Sequence, residues 1–134
     1  KRKELGEIKV LIVEDDAMIS ELVATKLIQS GCIPYSTTDG KEAVALTQQY
    51  RPDAIILDLM LPGMSGEEIL TTLKADESLK EIPVIIFSNN SEKVSRSNLM
   101  ALGANRYYIK ANTDLNVLVS DLKILSSGGT VLKG

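Results

Sequence analysis

The 134-residue chain has no histidine, no tryptophan, one cysteine and one phenylalanine. Lack of histidine removes the commonest zinc ligand, the usual general base and any phosphohistidine within this chain. A single cysteine, Cys32, cannot close an internal disulfide, and between Gly31 and Ile33 it reads as a small packing residue rather than a nucleophile. No apolar run approaches the roughly 20 residues that span a bilayer, and the basic start Lys1-Arg2-Lys3-Glu4 lacks the apolar stretch of a secretory signal. A cytoplasmic protein without membrane association is therefore expected. Positive charge is also in short supply: 15 Lys and Arg against 18 Asp and Glu give a net charge of -3, so direct nucleic-acid binding is not expected. Whatever chemistry is present relies on carboxylates, hydroxyls and lysine.

Hydrophobic residues make up 44% and charged residues 25%, the ordinary balance of one globular domain. Residues 1–7 are mostly charged and aperiodic, a disordered tail; residues 8–126 form the domain, and 127–134 a small-residue C-terminal tail. Within the domain, short apolar runs alternate with helical spacing. Ile8 to Val13 reads as a first strand running into Glu14-Asp15-Asp16, followed by a helix on Ile19, Leu22, Val23 and Leu27 that stops at Gly31. Ile33 to Thr37 is a weaker strand that Pro34 places at a sheet edge. Asp39 caps a second helix, with Ala43, Val44 and Leu46 as its apolar side. Ile55 to Leu57 suits a strand buried on both faces, and it ends abruptly at Asp58. A turn rich in Gly and Pro leads to a third helix from about Gly66 to Ala75. Val84 to Phe87 ends at Ser88, Leu99, Met100 and Leu102 anchor a fourth helix, and Tyr107 to Ile109 ends at Lys110. Leu115, Leu118, Val119, Leu122 and Leu125 mark a fifth, amphipathic helix.

Five strands alternating with five helices imply an α/β fold, a parallel sheet covered on both faces. Parallel strands bring their carboxyl ends to one edge, where ligands bind in such sheets. Glu14, Asp15, Asp58, Ser88 and Lys110 all fall just past strand ends. Each alone is the kind of residue that caps a helix or lines a turn; either Asp15 or Asp16 suits the first helix cap, and Ser88, Asn89, Asn90 and Ser91 compete for the fourth. Together they suggest chemistry. Clustered acids favour a small divalent cation, and an all-oxygen set with no thiolate or imidazole cluster points to Mg²⁺. A carboxylate can attack phosphorus to give an aspartyl phosphate, with Mg²⁺ and Lys110 neutralising the transferring group and the Ser88 hydroxyl donating to it.

The runs Leu-Ile-Val-Glu-Asp-Asp (11–16) and Leu-Asp-Leu-Met-Leu-Pro-Gly-Met-Ser-Gly (57–66), with Ser88 and Lys110 at later strand ends, resemble the receiver domain of bacterial two-component response regulators. The similarity covers about residues 8 to 126. It implies the flavodoxin-like, doubly wound strand order 2-1-3-4-5. It further implies that Asp58 is the phosphoacceptor, that Glu14 and Asp15 bind Mg²⁺ with help from the Met60 backbone carbonyl, and that Ser88 and Tyr107 are the switch residues. Lys110 would contact the phosphoryl group. The partners implied are a sensor histidine kinase or phosphotransfer protein as donor and an effector protein or domain downstream, with a homodimer possible. Such a protein is a signalling phosphoacceptor that catalyses only its own phosphorylation and dephosphorylation. Two positions depart from the family pattern. Asn89 stands where a small residue is usual, and Ala111 stands where proline, often cis, is usual; a cis bond before a non-proline residue costs about 2.5–4 kcal/mol. Met60 and Asn90 occupy positions that influence phosphate lifetime. The alternative is a receiver-like adaptor that works without phosphorylation. A phosphohydrolase would have a second acid where Met60 stands, and a flavin-binding domain a Ser/Thr/Gly-rich loop where Glu14 and Asp15 stand.

Overall fold

A computed structural model describes residues 8–89 and 93–127; the expected tail residues 1–7 and 128–134, together with Asn90 and Ser91, lie outside them. The chain runs β1 (Lys9–Val13), α1 (Ala17–Gln29), β2 (Ile33–Thr37), α2 (Gly40–Tyr50), β3 (Ala54–Leu57), α3 (Gly66–Ala75), β4 (Val84–Ser88), α4 (Lys93–Ala101), β5 (Arg106–Ile109) and α5 (Leu115–Ser126). The strands form one parallel sheet in the order β2-β1-β3-β4-β5, the doubly wound order the resemblance implies. Pro34 does lie on an edge strand, where its missing N–H costs no ladder bond on the open side.

The central strands are apolar on both faces because both faces are covered. Val10, Ile12, Ala54, Ile56, Ile85 and Phe87 point into one core, shared with Val23 and Leu27 of α1 and Leu118, Val119 and Leu122 of α5. Their sequence neighbours Leu11, Val13, Ile55, Leu57, Val84 and Ile86 point into the other, shared with Ala43 of α2, Ile69, Leu70 and Leu73 of α3 and Leu99 of α4. Period-two alternation thus divides one apolar run between two cores. Each fully buried Leu or Ile contributes roughly 1.5–3 kcal/mol. Cys32 belongs to the first core, and burial pushes its thiol up from the ordinary value, which suits packing and not attack.

Three expectations about helix faces fail. Leu22 is 57% exposed on α1, and Met100 and Leu102 near the end of α4 are also exposed, leaving Leu99 as the buried leucine there. The helices are narrower in their contact than apolar spacing suggests, since the sheet presents one stripe to each. Polar ties supplement the cores: Tyr108 on β5 donates to Asp121 on α5, and Lys123 Nζ donates to the Ser30 carbonyl at 2.8 Å, joining α5 to the end of α1.

The α3 start matters most for the acid edge of the sheet. Ser65 caps it, with the Glu68 side chain returning to the Ser65 N–H in a capping box. Gly66 follows, and a Cβ there would lie 2.6 Å from the Asp58 carbonyl oxygen and 2.8 Å from Leu59 Cα. Close approach of helix and loop requires the missing side chain. Gly66→Ala should therefore cost about 1–3 kcal/mol in urea unfolding, the usual range for forced overpacking; a loss under a few tenths would show that the loop yields freely.

Candidate functional site

Each strand delivers its terminal side chain to a common edge. At the end of β1, Glu14 is 2% exposed, with its N–H bound to the Thr37 carbonyl at 3.1 Å. Asp16 supplies the α1 cap, accepting from the N–H groups of Met18 and Ile19, so the cap alternative resolves in its favour and Asp15 projects as an exposed acid. Past β3, Asp58 is 6% exposed; its N–H donates to the Val13 carbonyl at 3.0 Å, and its Oδ1 accepts from Leu59 N–H at 2.7 Å and, at the limit of hydrogen bonding, from Met60 N–H at 3.5 Å. Ser88, the last residue of β4, is buried. Lys110 opens a short 3₁₀ turn over Lys110–Asn112 directly after β5.

Lys110 joins these ends. Its Nζ lies 2.6 Å from Glu14 Oε1 and 3.1 Å from Asp58 Oδ2. Glu14 Oε2 accepts from the Asp16 N–H at 3.0 Å, so both carboxylate oxygens are engaged. Carboxylate oxygens of Glu14, Asp15 and Asp58 come within 4.8 Å of one another. Three acids against one lysine leave two negative charges in excess, which is what a divalent cation would neutralise. The donor set is all oxygen, so the residues fit Mg²⁺ and not zinc.

Electrostatics express the same excess. Burial pushes the Glu14 carboxyl up from its ordinary value and the Asp58 charge adds to this, while the Lys110 ammonium and the Asp16 N–H pull it down without cancelling the rise. For Lys110, burial acts to lower the value, but hydrogen bonds and charge from Glu14 and Asp58 outweigh it and hold the ammonium above its ordinary range. Both shifts mean that the cluster holds protons, and hence positive charge, tightly.

An open cleft of about 570 Å³ is lined by Glu14, Asp15, Asp58, Met60, Ser88 and Lys110, together with Asp16, Ile19 and Asn89. Met60 is 76% exposed at its mouth. Tyr107 is not among the lining residues: it packs half-buried from β5 against the second core, and the Arg96 guanidinium of α4 lies 5.3 Å from its ring centroid. Two contacts escape sequence reasoning. Lys110 Nζ lies 5.9 Å from the Phe87 ring centroid, and the Asn89 carboxamide accepts from the Ala111 N–H at 3.2 Å. The first needed the β4–β5 register; the second joins the two positions already singled out as unusual. No cis peptide occurs among the described residues, so the Lys110–Ala111 bond is trans.

The family model for the response regulator receiver domain matches residues 10–123. Among curated relatives, the phosphate regulon transcriptional regulatory protein PhoB of Escherichia coli is 36% identical over 102 residues, covering 76% of this chain and 44% of PhoB. The probable transcriptional regulator ycf27 of Guillardia theta is 33% identical, with 39% of its length covered. This chain thus spans less than half the length of those relatives. Among solved structures, the signal receiver domain of a signal transduction histidine kinase from Syntrophus aciditrophicus superposes with a TM-score of 0.83 at 32% identity, covering 91% of this chain and 92% of that one. The receiver domain of a Francisella response regulator gives 0.84 at 28% identity, covering 92% and 99%.

The raised Glu14 value has a definite sign. A raised folded value contributes stability below the ordinary 4.5, lost as pH rises through the folded value. Ionised Glu14 therefore weighs against the Mg²⁺-free fold at neutral pH. The melting temperature of Glu14→Gln minus that of the parent should be most favourable at pH 7 and should shrink as pH falls toward 4.5; a difference that is flat or grows on acidification contradicts the assignment.

Proposed function

Because the chain belongs to the response regulator receiver domain family, we propose that it is a phosphorylation-dependent signalling switch in which Asp58 accepts the phosphoryl group. The observation that carries this reading is the convergence of Lys110, Glu14, Asp15 and Asp58 from the ends of three strands into one cleft. An ion pair made only for stability needs two charges; a third acid, Asp15, held at the rim adds repulsion and has no ion-pair partner among the described residues.

In the proposed reaction an Asp58 carboxylate oxygen attacks the phosphorus of a donor, forming an acyl phosphate while the bond from phosphorus to the donor's leaving atom breaks. With a phosphohistidine donor on a sensor kinase or phosphotransfer protein, that bond is N–P and the imidazole departs. Glu14, Asp15, Asp58 and the Met60 carbonyl would hold Mg²⁺, which supplies charge neutralisation to the transferring group. The Asp58 Oδ1 contact to Leu59 N–H holds one oxygen, and Oδ2, on the Lys110 side, is the better placed nucleophile. Phosphorylation would draw the Lys110 ammonium from the carboxylate to a phosphoryl oxygen, and Ser88 would donate its hydroxyl to another.

A bound phosphoryl group shifts a conformational equilibrium only by interacting differently with the two states. Ser88 and Lys110 supply that difference at the cleft, and Tyr107 with Arg96 lies at the face that would report it to an effector surface or to a second copy of the chain. Asn89 and Ala111, which depart from the family pattern, favour a phosphorylation-independent adaptor, but the assembled set of lysine and acids favours chemistry.

Intact mass after incubation with Mg²⁺ and a small phosphodonor should show one added phosphoryl group, abolished by chelation and by Asp58→Asn. Uptake by Asp58→Asn at the parent rate would remove Asp58 from the role. Met60, apolar at the cleft mouth, cannot orient an attacking water, so Met60→Asn should shorten the lifetime of the phosphorylated protein severalfold; an unchanged or longer lifetime counts against that role.

A further inference from the structure

Ala111 follows Lys110 directly and, not being proline, carries an N–H that must find an acceptor or water. That N–H donates to Oδ1 of Asn89 at 3.2 Å, across 22 positions of the chain. Asn89 is the first residue past β4, beside Ser88, and it lines the cleft. The hydrogen bond therefore ties the segment leaving β4 to the 3₁₀ turn that begins with Lys110. The same turn is held from its other end by Thr113, whose hydroxyl donates to the Ile109 carbonyl at 2.7 Å. Between these ties stands the backbone from which Lys110 reaches Glu14 and Asp58. Donor chemistry also fixes the orientation of the carboxamide: a backbone N–H requires the oxygen of Asn89, not its nitrogen.

We propose that Asn89 is a positioning residue for the Asp58 reaction, its carboxamide oxygen holding the Ala111 amide and, through it, the backbone of Lys110, so that the ammonium meets phosphoryl oxygens from a preset position. This rests on the reading that Lys110 contacts the phosphoryl group. Two other roles for Asn89 give different results: it could narrow the cleft by bulk, or it could contact the phosphoryl group itself. Preorganisation differs from direct contact because the tie exists before any donor arrives, and from bulk because it acts through the Ala111 amide.

Two variants of the full chain separate these roles. Asn89→Ala removes both acceptor and bulk, whereas Asn89→Leu removes the acceptor and keeps the bulk. In the unphosphorylated protein both should speed hydrogen exchange at the Ala111 amide by roughly two- to tenfold, the effect of losing one hydrogen bond, and shift its ¹H–¹⁵N resonance. Both should slow Mg²⁺-dependent phosphorylation by a small phosphodonor by a similar factor, while the melting temperature stays within about 2 °C of the parent. Faster phosphorylation of Asn89→Ala with a parent-like rate for Asn89→Leu would make bulk the explanation and overturn the proposal. Slower phosphorylation without any change at the Ala111 amide would overturn it in favour of direct contact. Faster exchange without any change in phosphorylation would overturn it as well, since the tie would then position nothing. A parent protein that takes up no phosphoryl group refutes the Asp58 reading instead, and the amide measurement, which needs no phosphorylation, keeps that failure distinct.

Discussion

Everything at the acid edge of this protein depends on one ammonium group held between two nearly buried carboxylates. Glu14 and Asp58 are drawn out of water by the strands that carry them, and neither would be tolerated there without a counter-charge. Lys110 supplies it from a third strand. Removing Lys110 would leave buried carboxylates with no counter-charge, and breaking a buried pair in that way costs about 3–5 kcal/mol. The interaction is therefore stabilising only relative to its own broken form. Well-packed hydrophobic residues of similar volume often serve a fold as well as a buried ion pair, so stability alone gives little reason for charge at this edge.

The sheet makes the arrangement possible. β1 and β3 are neighbours, so Glu14 and Asp58 emerge side by side, with the Asp58 N–H bound to the Val13 carbonyl as the ladder's last rung. β5 lies two strands from β3, and Lys110 must span β4 to reach the acids. Its Nζ lies 5.9 Å from the Phe87 ring centroid, so the ammonium that meets the two acids also faces an aromatic ring of β4.

Much of this was legible in the chain. Apolar runs that stop at Glu14, Asp58, Ser88 and Lys110 mark strand ends, and parallel connectivity puts those ends at one edge. The resemblance supplied the strand order; the pattern alone did not. Helix faces were less legible, because Leu22 and Met100 fit helical spacing yet stay exposed, and Leu102 falls in the turn just past α4. Spacing reports which residues share a face, not how wide a neighbour that face meets. Least legible was the bond from Asn89 to the Ala111 N–H. Each residue departs from a family pattern, but their being partners depends on the register between β4 and β5, in which Ser88 stands opposite Ile109.

That register also bears on how a local charge change would be felt at a distance. Ser88 and Lys110 sit at the ends of adjacent strands, and Tyr107 lies on the second of these, paired with Ile86 and under the Arg96 guanidinium of α4. A cation over an aromatic face at a partly exposed site contributes about 0.5–1 kcal/mol. This is small compared with the cost of disturbing the buried ion pair, and the asymmetry has a consequence. A phosphoryl group could shift the Arg96 contact only by interacting differently with the two states, and a contact this small needs little difference to change. If the Tyr107 face answers to Asp58, the large electrostatic term lies at the cleft and the smaller Arg96 contact at the surface, on a ring that also packs against the second core.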